Sequence, residues 1–381
     1  MDIPNLSEDE VIALLDDDST PEEVVEQLAE HHFRFPAVTP SEPVTQSVTI
    51  DELAALMGTD TDKVLSHTKN AWVDGLAVLR DADLSDLRSD TVLDAFTATA
   101  IRATFDDIPN HSEATEGVMG ALNKRAHRRR KKRFEDRRFH PSFGGVTLVA
   151  EGDSWFQHPY PGRMDVIQWL NERQDKYAIR CQSYAGDWIA QMREVLDTTL
   201  NLIEDVDAKA FLLSGGGNDM VGKPGIGHLF RKYKEGKPPS YYLGLAADRR
   251  LGELKRLYVD IIERVSARFP GLPILVHGYA HPFPGVNRHV SSGWAAWIQP
   301  SLEDDAGFKD MPKLQRAVVR LAMDRFNDML EALADAYPNV HYIDCRKLVD
   351  RREHWVDELH PTDSRWKAVA EAFEDKLDAV L

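Results

Sequence analysis

From Gly144 onward, short apolar runs alternate with stretches of helical periodicity, and no other feature of the sequence limits the fold as strongly. The runs fall at 146–150, 177–182, 208–213, 272–276 and 340–343, each bounded by Gly, Pro or polar turn residues. Helix-like segments lie near 164–173, 188–204, 246–269, 314–337 and 363–381. Short apolar runs between turn signals suit strands buried on both faces. Five of them joined through helices call for a parallel sheet covered on both sides. The expectation is an α/β domain over 144–381, with its site at the carboxyl ends of the strands.

The rest of the chain has a different texture. With 381 residues, two folding units are expected. The net charge of −17 is unevenly placed: residues 1–120 hold 26 Asp/Glu against 6 Lys/Arg, and residues 121–138 hold 10 Lys/Arg against 2 Asp/Glu. This divides the chain into an acidic helical domain over 1–120, a basic linker or helix over 121–143, and the α/β domain. Val11, Leu14, Leu15, Val24, Val25 and Leu28 recur at helical spacing, with Thr20 as N-cap and Pro21 in the first turn of a second helix. Residues 35–48 read as a linker, and further helices are expected over 49–57, 61–79 and 89–105. A helix-turn-helix cadence around Gly58 is set in a strongly negative region, which argues against DNA binding. A regulatory or protein-binding module is the expectation instead. The basic run from Lys124 to Arg138 suits a charged interdomain helix, an anionic membrane or RNA contact, or an internal partner for the acidic module.

The N-terminus lacks the basic and apolar regions of a secretory signal, and no run reaches the length of a spanning helix. A cytoplasmic location is expected on that basis. Cys181 and Cys345 lie beside expected buried strands and read as buried thiols rather than a disulfide framework or thiolate metal site.

Four segments carry chemistry. Residues 148–155 (LVAEGDSW) run from a strand into a Gly-Asp-Ser turn that exposes the Ser154 hydroxyl. Residues 183–188 (SYAGDW) follow the second strand, and Gly186 allows close backbone approach to a ligand. Residues 211–219 (FLLSGGGND) follow the third. Asn218 is the kind of amide donor that stabilises an oxyanion, and no Lys-Ser/Thr follows to make a phosphate loop. Residues 356–362 (VDELHPT) precede the last helix, where Asp357 and His360 stand on one turn, as a carboxylate orienting an imidazole must.

In this order and setting the four segments resemble the blocks of the SGNH/GDSL hydrolase superfamily: Gly152-Asp153-Ser154, Gly186, Gly216-Gly217-Asn218-Asp219 and Asp357-Glu358-Leu359-His360-Pro361. The resemblance covers about residues 144–381. It implies a flavodoxin-like three-layer α/β/α fold, Ser154 as nucleophile, His360 as general base, and Asp357 as its orienting carboxylate. Ser154 N–H, Gly186 N–H and the Asn218 amide would form the oxyanion hole. Acyl transfer to serine and hydrolysis of carboxylic esters would follow, with no metal or organic cofactor. Trp155 stands where the family name has Leu, and the usual Asn before the glycine of the second block is missing.

Trp155, Asp219, Trp294 and Trp297 are the expected substrate contacts. Insertions at 222–250 and 279–312 follow strand ends and should overhang the site, with Phe283, Tyr241 and Tyr242 as further wall residues. His277, His281 and His289 share one region but no ligand spacing, so no metal is expected. The leading expectation is an esterase or acylhydrolase controlled by its helical module. The alternatives are a phospholipase drawn to anionic lipid by the basic run and a catalytically silent, hydrolase-like binding module.

Overall fold

The computed structural model describes residues 3–33, 46–65, 88–93, 98, 101, 117–158, 160, 162–222, 225–286 and 296–381. Its N-terminal part contains α1 (Glu8–Asp16), α2 (Glu22–His32), β1 (Val48–Thr49), α3 (Ile50–Leu56) and β2 (Val92–Leu93), followed by α4 (Gly117–Arg138). The remainder alternates: β3 (Val146–Gly152), α5 (Val166–Asn171), β4 (Tyr177–Cys181), α6 (Ile189–Glu194), α7 (Leu196–Asp205) and β5 (Ala210–Ser214). Then come α8 (Gly217–Val221), α9 (Pro239–Tyr242), α10 (Leu245–Arg268), β6 (Ile274–His277), α11 (Ile298–Asp304), α12 (Pro312–Ala336), β7 (Val340–Ile343) and α13 (Asp363–Val380).

Strands β3 to β7 form one parallel sheet in the order β4-β3-β5-β6-β7. The first strand of the domain pairs on both sides, so the chain reverses its winding direction between β3 and β5. In open parallel sheets that switch point opens a crevice at the carboxyl ends of the two strands. Helices α5 and α13 pack together on one face, and α6, α7, α10 and α12 cover the other. Every residue of β4 and β5 is buried, which accounts for apolar runs without strict alternation. The five strands and three layers are those expected from the sequence.

In the N-terminal part, Ser7 and Glu10 form a capping box at the start of α1, as do Thr49 and Glu52 at α3. Three local expectations change. Pro21 itself sits at the N-cap of α2, while the Thr20 hydroxyl donates to Leu14 O at 2.7 Å and closes the α1–α2 turn. Val92–Leu93, expected to be helical, pairs antiparallel with Val48–Thr49, the first of which was expected in a linker. Both pairs are rich in β-branched residues, and Val48 and Leu93 join a small separate core with Ile50, Leu53 and Ile101. The helix expected over 61–79 lies mostly outside the described residues. Finally, α4 begins before residue 120, so the basic run is the continuation of a helix whose first turns are apolar.

That helix joins the two parts. Met119, Ala121 and Leu122 pack with Val11, Leu15, Val25, Leu28 and Phe33 of the first two helices and the turn after them. Arg125 donates to Asp17 O and Thr20 O, both at 2.9 Å, and Arg128 pairs with Asp16 and Asp18. Further along, Phe134 enters the main core and Arg137 donates to Tyr177 O at 2.9 Å. Part of the basic run thus neutralises the acidic helices. Among the described residues no helix is long and apolar enough to cross a membrane.

Candidate active site

The site begins where β3 and β5 end side by side. Asp153 N–H donates to Ser214 O at 3.1 Å, and a Cβ on Gly152 would lie 2.7 Å from that same oxygen. The glycine is therefore demanded by the close approach of β5. The Asp153 carboxylate accepts the Trp155 N–H at 3.0 Å, the Ser214 hydroxyl at 2.8 Å and the Tyr279 hydroxyl. These bonds fix the turn that carries Ser154.

The 356–362 loop folds onto itself through Val356 N–H to His360 O at 2.8 Å and Thr362 N–H to His354 O at 2.8 Å. This closure brings Asp357 and His360 together. His360 Nδ1 lies 2.9 and 3.0 Å from the two Asp357 oxygens, and His360 Nε2 lies 2.8 Å from Ser154 Oγ. Asp357 Oδ1 also accepts the N–H groups of Leu359 and His360, each at 2.8 Å. Surrounded by donors, the carboxylate requires Nδ1 to carry a proton, which leaves the Nε2 lone pair facing the serine hydroxyl. All three side chains are buried.

Gly186 lies in the loop after β4, which is tied to the serine turn by Tyr184 N–H donating to Gly152 O at 2.9 Å. Its φ of +94° is open to glycine and strained for other residues. One N–H of Asn218, in the first turn of α8, donates to Asp187 O at 2.9 Å, which joins the second and third blocks. Asn218 and Ser154 line a common cavity of about 30 Å³ with Trp155, Tyr279, Met323 and Trp355.

Two expected substrate contacts take other roles. Asp219 is buried with its Oδ2 accepting Ile189 N–H at 3.1 Å, and burial pushes its carboxyl up to about 7. It anchors the start of α6 and does not line the cavity. Trp297 belongs to the apolar cluster that contains residues of α1, α2 and α4, and its ring meets His360 edge-on at 6.2 Å. It backs the imidazole instead of the substrate. Trp155 stacks on His277 at 5.2 Å and donates to Leu359 O at 3.1 Å while presenting part of its ring to the cavity. Trp294 lies outside the described residues. Tyr242 is fully buried against Phe308, so that part of the first insertion packs locally.

His277 Nε2 lies 2.7 Å from Ser214 Oγ, and His281 pairs with Asp324, so each is already engaged; His289 lies outside the described residues. Among the described residues no three His, Cys, Asp or Glu side chains gather as a metal site would require. Cys181 and Cys345 are buried free thiols.

Two supports were not foreseen from sequence. Glu358, between Asp357 and His360 in the chain, accepts four backbone N–H groups: Gly285 at 2.6 Å, Trp297 at 2.6 Å, Ile298 at 2.6 Å and Gln299 at 2.9 Å. Burial raises its carboxyl and the four bonds oppose the rise. Asn123, fully buried in α4, donates to Ala185 O and accepts from Ala185 N–H, both at 3.1 Å. The helix that carries the N-terminal module thus grips the loop of Gly186. A polar residue among the apolar positions of α4 was the only sequence signal for it.

Three of the four blocks thus follow the carboxyl ends of β3, β4 and β5, and the fourth lies in the loop between β7 and α13. No family model and no curated protein matches the chain. Among solved structures it is similar to the lipase Lip_vut3 from a goat rumen metagenome, at 15% identity over 60% of this chain and 96% of the other, with a TM-score of 0.43. A phospholipase A1 from Streptomyces albidoflavus NA297 gives 14% identity, 62% and 100% coverage and a TM-score of 0.39. A Clostridium thermocellum family 3 carbohydrate esterase gives 11%, 62%, 97% and 0.37. Likeness at this level carries no argument about substrate.

Proposed function

We propose that this protein is a serine hydrolase that cleaves carboxylic esters through an acyl-serine intermediate. The observation that carries the reading is the hydrogen-bonded line from Ser154 Oγ through His360 to Asp357, with the serine facing a cavity. His360 Nε2 takes the serine proton as Oγ attacks the ester carbonyl, and Asp357 stabilises the imidazolium that forms. The proton then passes to the leaving alcohol. Water, deprotonated by the same nitrogen, releases the acid. The negative oxygen of each tetrahedral intermediate is met by the N–H groups of Ser154 and Gly186 and by the second N–H of Asn218.

The grip of Asn123 on Ala185, together with an apolar cluster that holds Ala185 and Trp297 with residues of α1, α2 and α4, supports a role for the N-terminal helices in control of the site. Ser154→Ala should lower hydrolysis of p-nitrophenyl acetate by about 10³-fold or more. A fluorophosphonate probe should label the wild type and spare the variant. A folded Ser154→Ala protein with the wild-type rate would overturn the reading.

A further inference from the structure

A second cavity, of about 190 Å³, lies in the seam between α2, α4 and the turn after β3. Arg125, Arg129, Arg130 and Arg133 line it, with Glu22 the one carboxylate in the wall. Arg125 and Arg130 are more than nine-tenths buried. Arg130 is satisfied by Asp165 and Phe156 O, and Arg129 pairs with Glu22. The Arg125 terminal nitrogens reach Asp17 O and Thr20 O, yet its buried Nε–H has no partner. Arg133 is exposed, and no described carboxylate lies within ion-pair distance of it. Exposed Glu26 reaches only the rim, where a Cβ on Gly162 would lie 3.1 Å from its Oε1. Four guanidinium groups thus face Glu22 and Asp165, with exposed Glu26 at the edge as exposed Arg133 is.

An anion seated among these guanidinium groups would be held by charge-assisted hydrogen bonds, the strongest of the ordinary kinds. We infer that this cavity is a binding site for a phosphate group, separate from the ester-cleaving centre. The volume admits one tetrahedral oxyanion with part of its hydration. A phosphate monoester carries about −1.5 to −2 charges at neutral pH and presents three acceptor oxygens to these donors. The planar forks of Arg129 and Arg133, one turn apart on α4, suit paired phosphate oxygens. The site adjoins the triad without entering it. His158 lines the cavity, its N–H donates to Asp165 at 2.9 Å, and its ring meets the His360 ring edge-on at 4.8 Å.

The test is a phosphate titration at constant ionic strength, with chloride as comparator, followed by calorimetry and thermal unfolding. It needs no ester turnover, so its outcome is independent of the proposed hydrolysis. Wild type should show saturable phosphate binding and a rise in Tm of about 2 °C or more at a hundredfold excess over Kd. Arg133→Gln, an exposed change that leaves the fold intact, should weaken binding about tenfold, and Glu22→Gln should tighten it severalfold. Identical phosphate response in all three proteins, or none beyond that of chloride, would refute the site. Flotation with phosphatidic acid vesicles separates the sources. Arg133-dependent flotation that inorganic phosphate competes away assigns a lipid headgroup. Saturable phosphate binding without flotation assigns a soluble phosphate.

Discussion

Glu151 precedes the Gly-Asp-Ser turn, fully enclosed, and burial pushes its carboxyl from 4.5 up to about 7 despite bonds from Gly152 N–H and the Thr199 hydroxyl. Between those two values the unfolded chain has lost the proton that the folded chain still holds. Stability therefore falls as pH rises through the window and levels off above it. Glu151→Gln keeps an acceptor for Gly152 and removes the titration. Urea unfolding should show the variant gaining on the wild type by on the order of 3 kcal/mol between about pH 4.5 and 7.5. A pH-independent difference would mean that the carboxyl titrates normally. Asp357 touches His360 and does not line the cavity, so under the proposed mechanism it acts through the imidazole. Asp357→Asn should lower kcat about 10³- to 10⁴-fold with KM little changed, since only the imidazole tautomer and its charge are affected. A change confined to KM in steady-state kinetics would contradict that role.

At the scale of elements, the blocks that could be read in the sequence are those whose parts lie close together in the chain. Asp357 and His360 share one turn, and Ser154 and Asn218 each follow an apolar strand, so a strand-end rule is enough to gather them. Glu358 and Asn123 were hidden because their partners are backbone N–H and C=O groups about sixty residues away or more, which no side-chain pattern announces. Asp219 and Trp297 lie outside the cavity lining for a related reason. A carboxyl or an indole near the site suits either the cavity or the scaffold behind it, and only packing decides. Glu358 gives the strongest element-scale prediction. It closes the first turn of α11 and ties it to Gly285, holding Trp297 against His360. In Glu358→Gln an amide NH₂ would face backbone N–H groups, so about 2–4 kcal/mol should be lost. Hydrogen exchange should quicken at Gly285 and Trp297–Gln299, and ester kcat should drop about tenfold. Unchanged exchange at those four amides would show that the carboxylate does not hold the segment.

At the scale of the molecule, two kinds of contact join the N-terminal helices to the α/β part, and their magnitudes differ. The ion pairs of Arg128 and Arg129 with Asp16, Asp18 and Glu22 are exposed by 38% or more, where such pairs are worth about 0–1 kcal/mol and are screened by salt. Leu15 and Leu28 are fully buried, and truncation of such a side chain costs about 2–5 kcal/mol. The apolar contact therefore holds the docking. Their cluster also contains Ala185 from the Gly186 loop and Trp297 from behind His360. Loosening it should accordingly be felt at Ser154. Leu28→Ala should lower both the Tm and the ester kcat, whereas about 1 M NaCl should leave kcat nearly unchanged in the wild type. If salt alone reproduced the effect of Leu28→Ala, the exposed ion pairs would be carrying the interface, and the acidic charge of the first helices would have a structural role that their burial does not support.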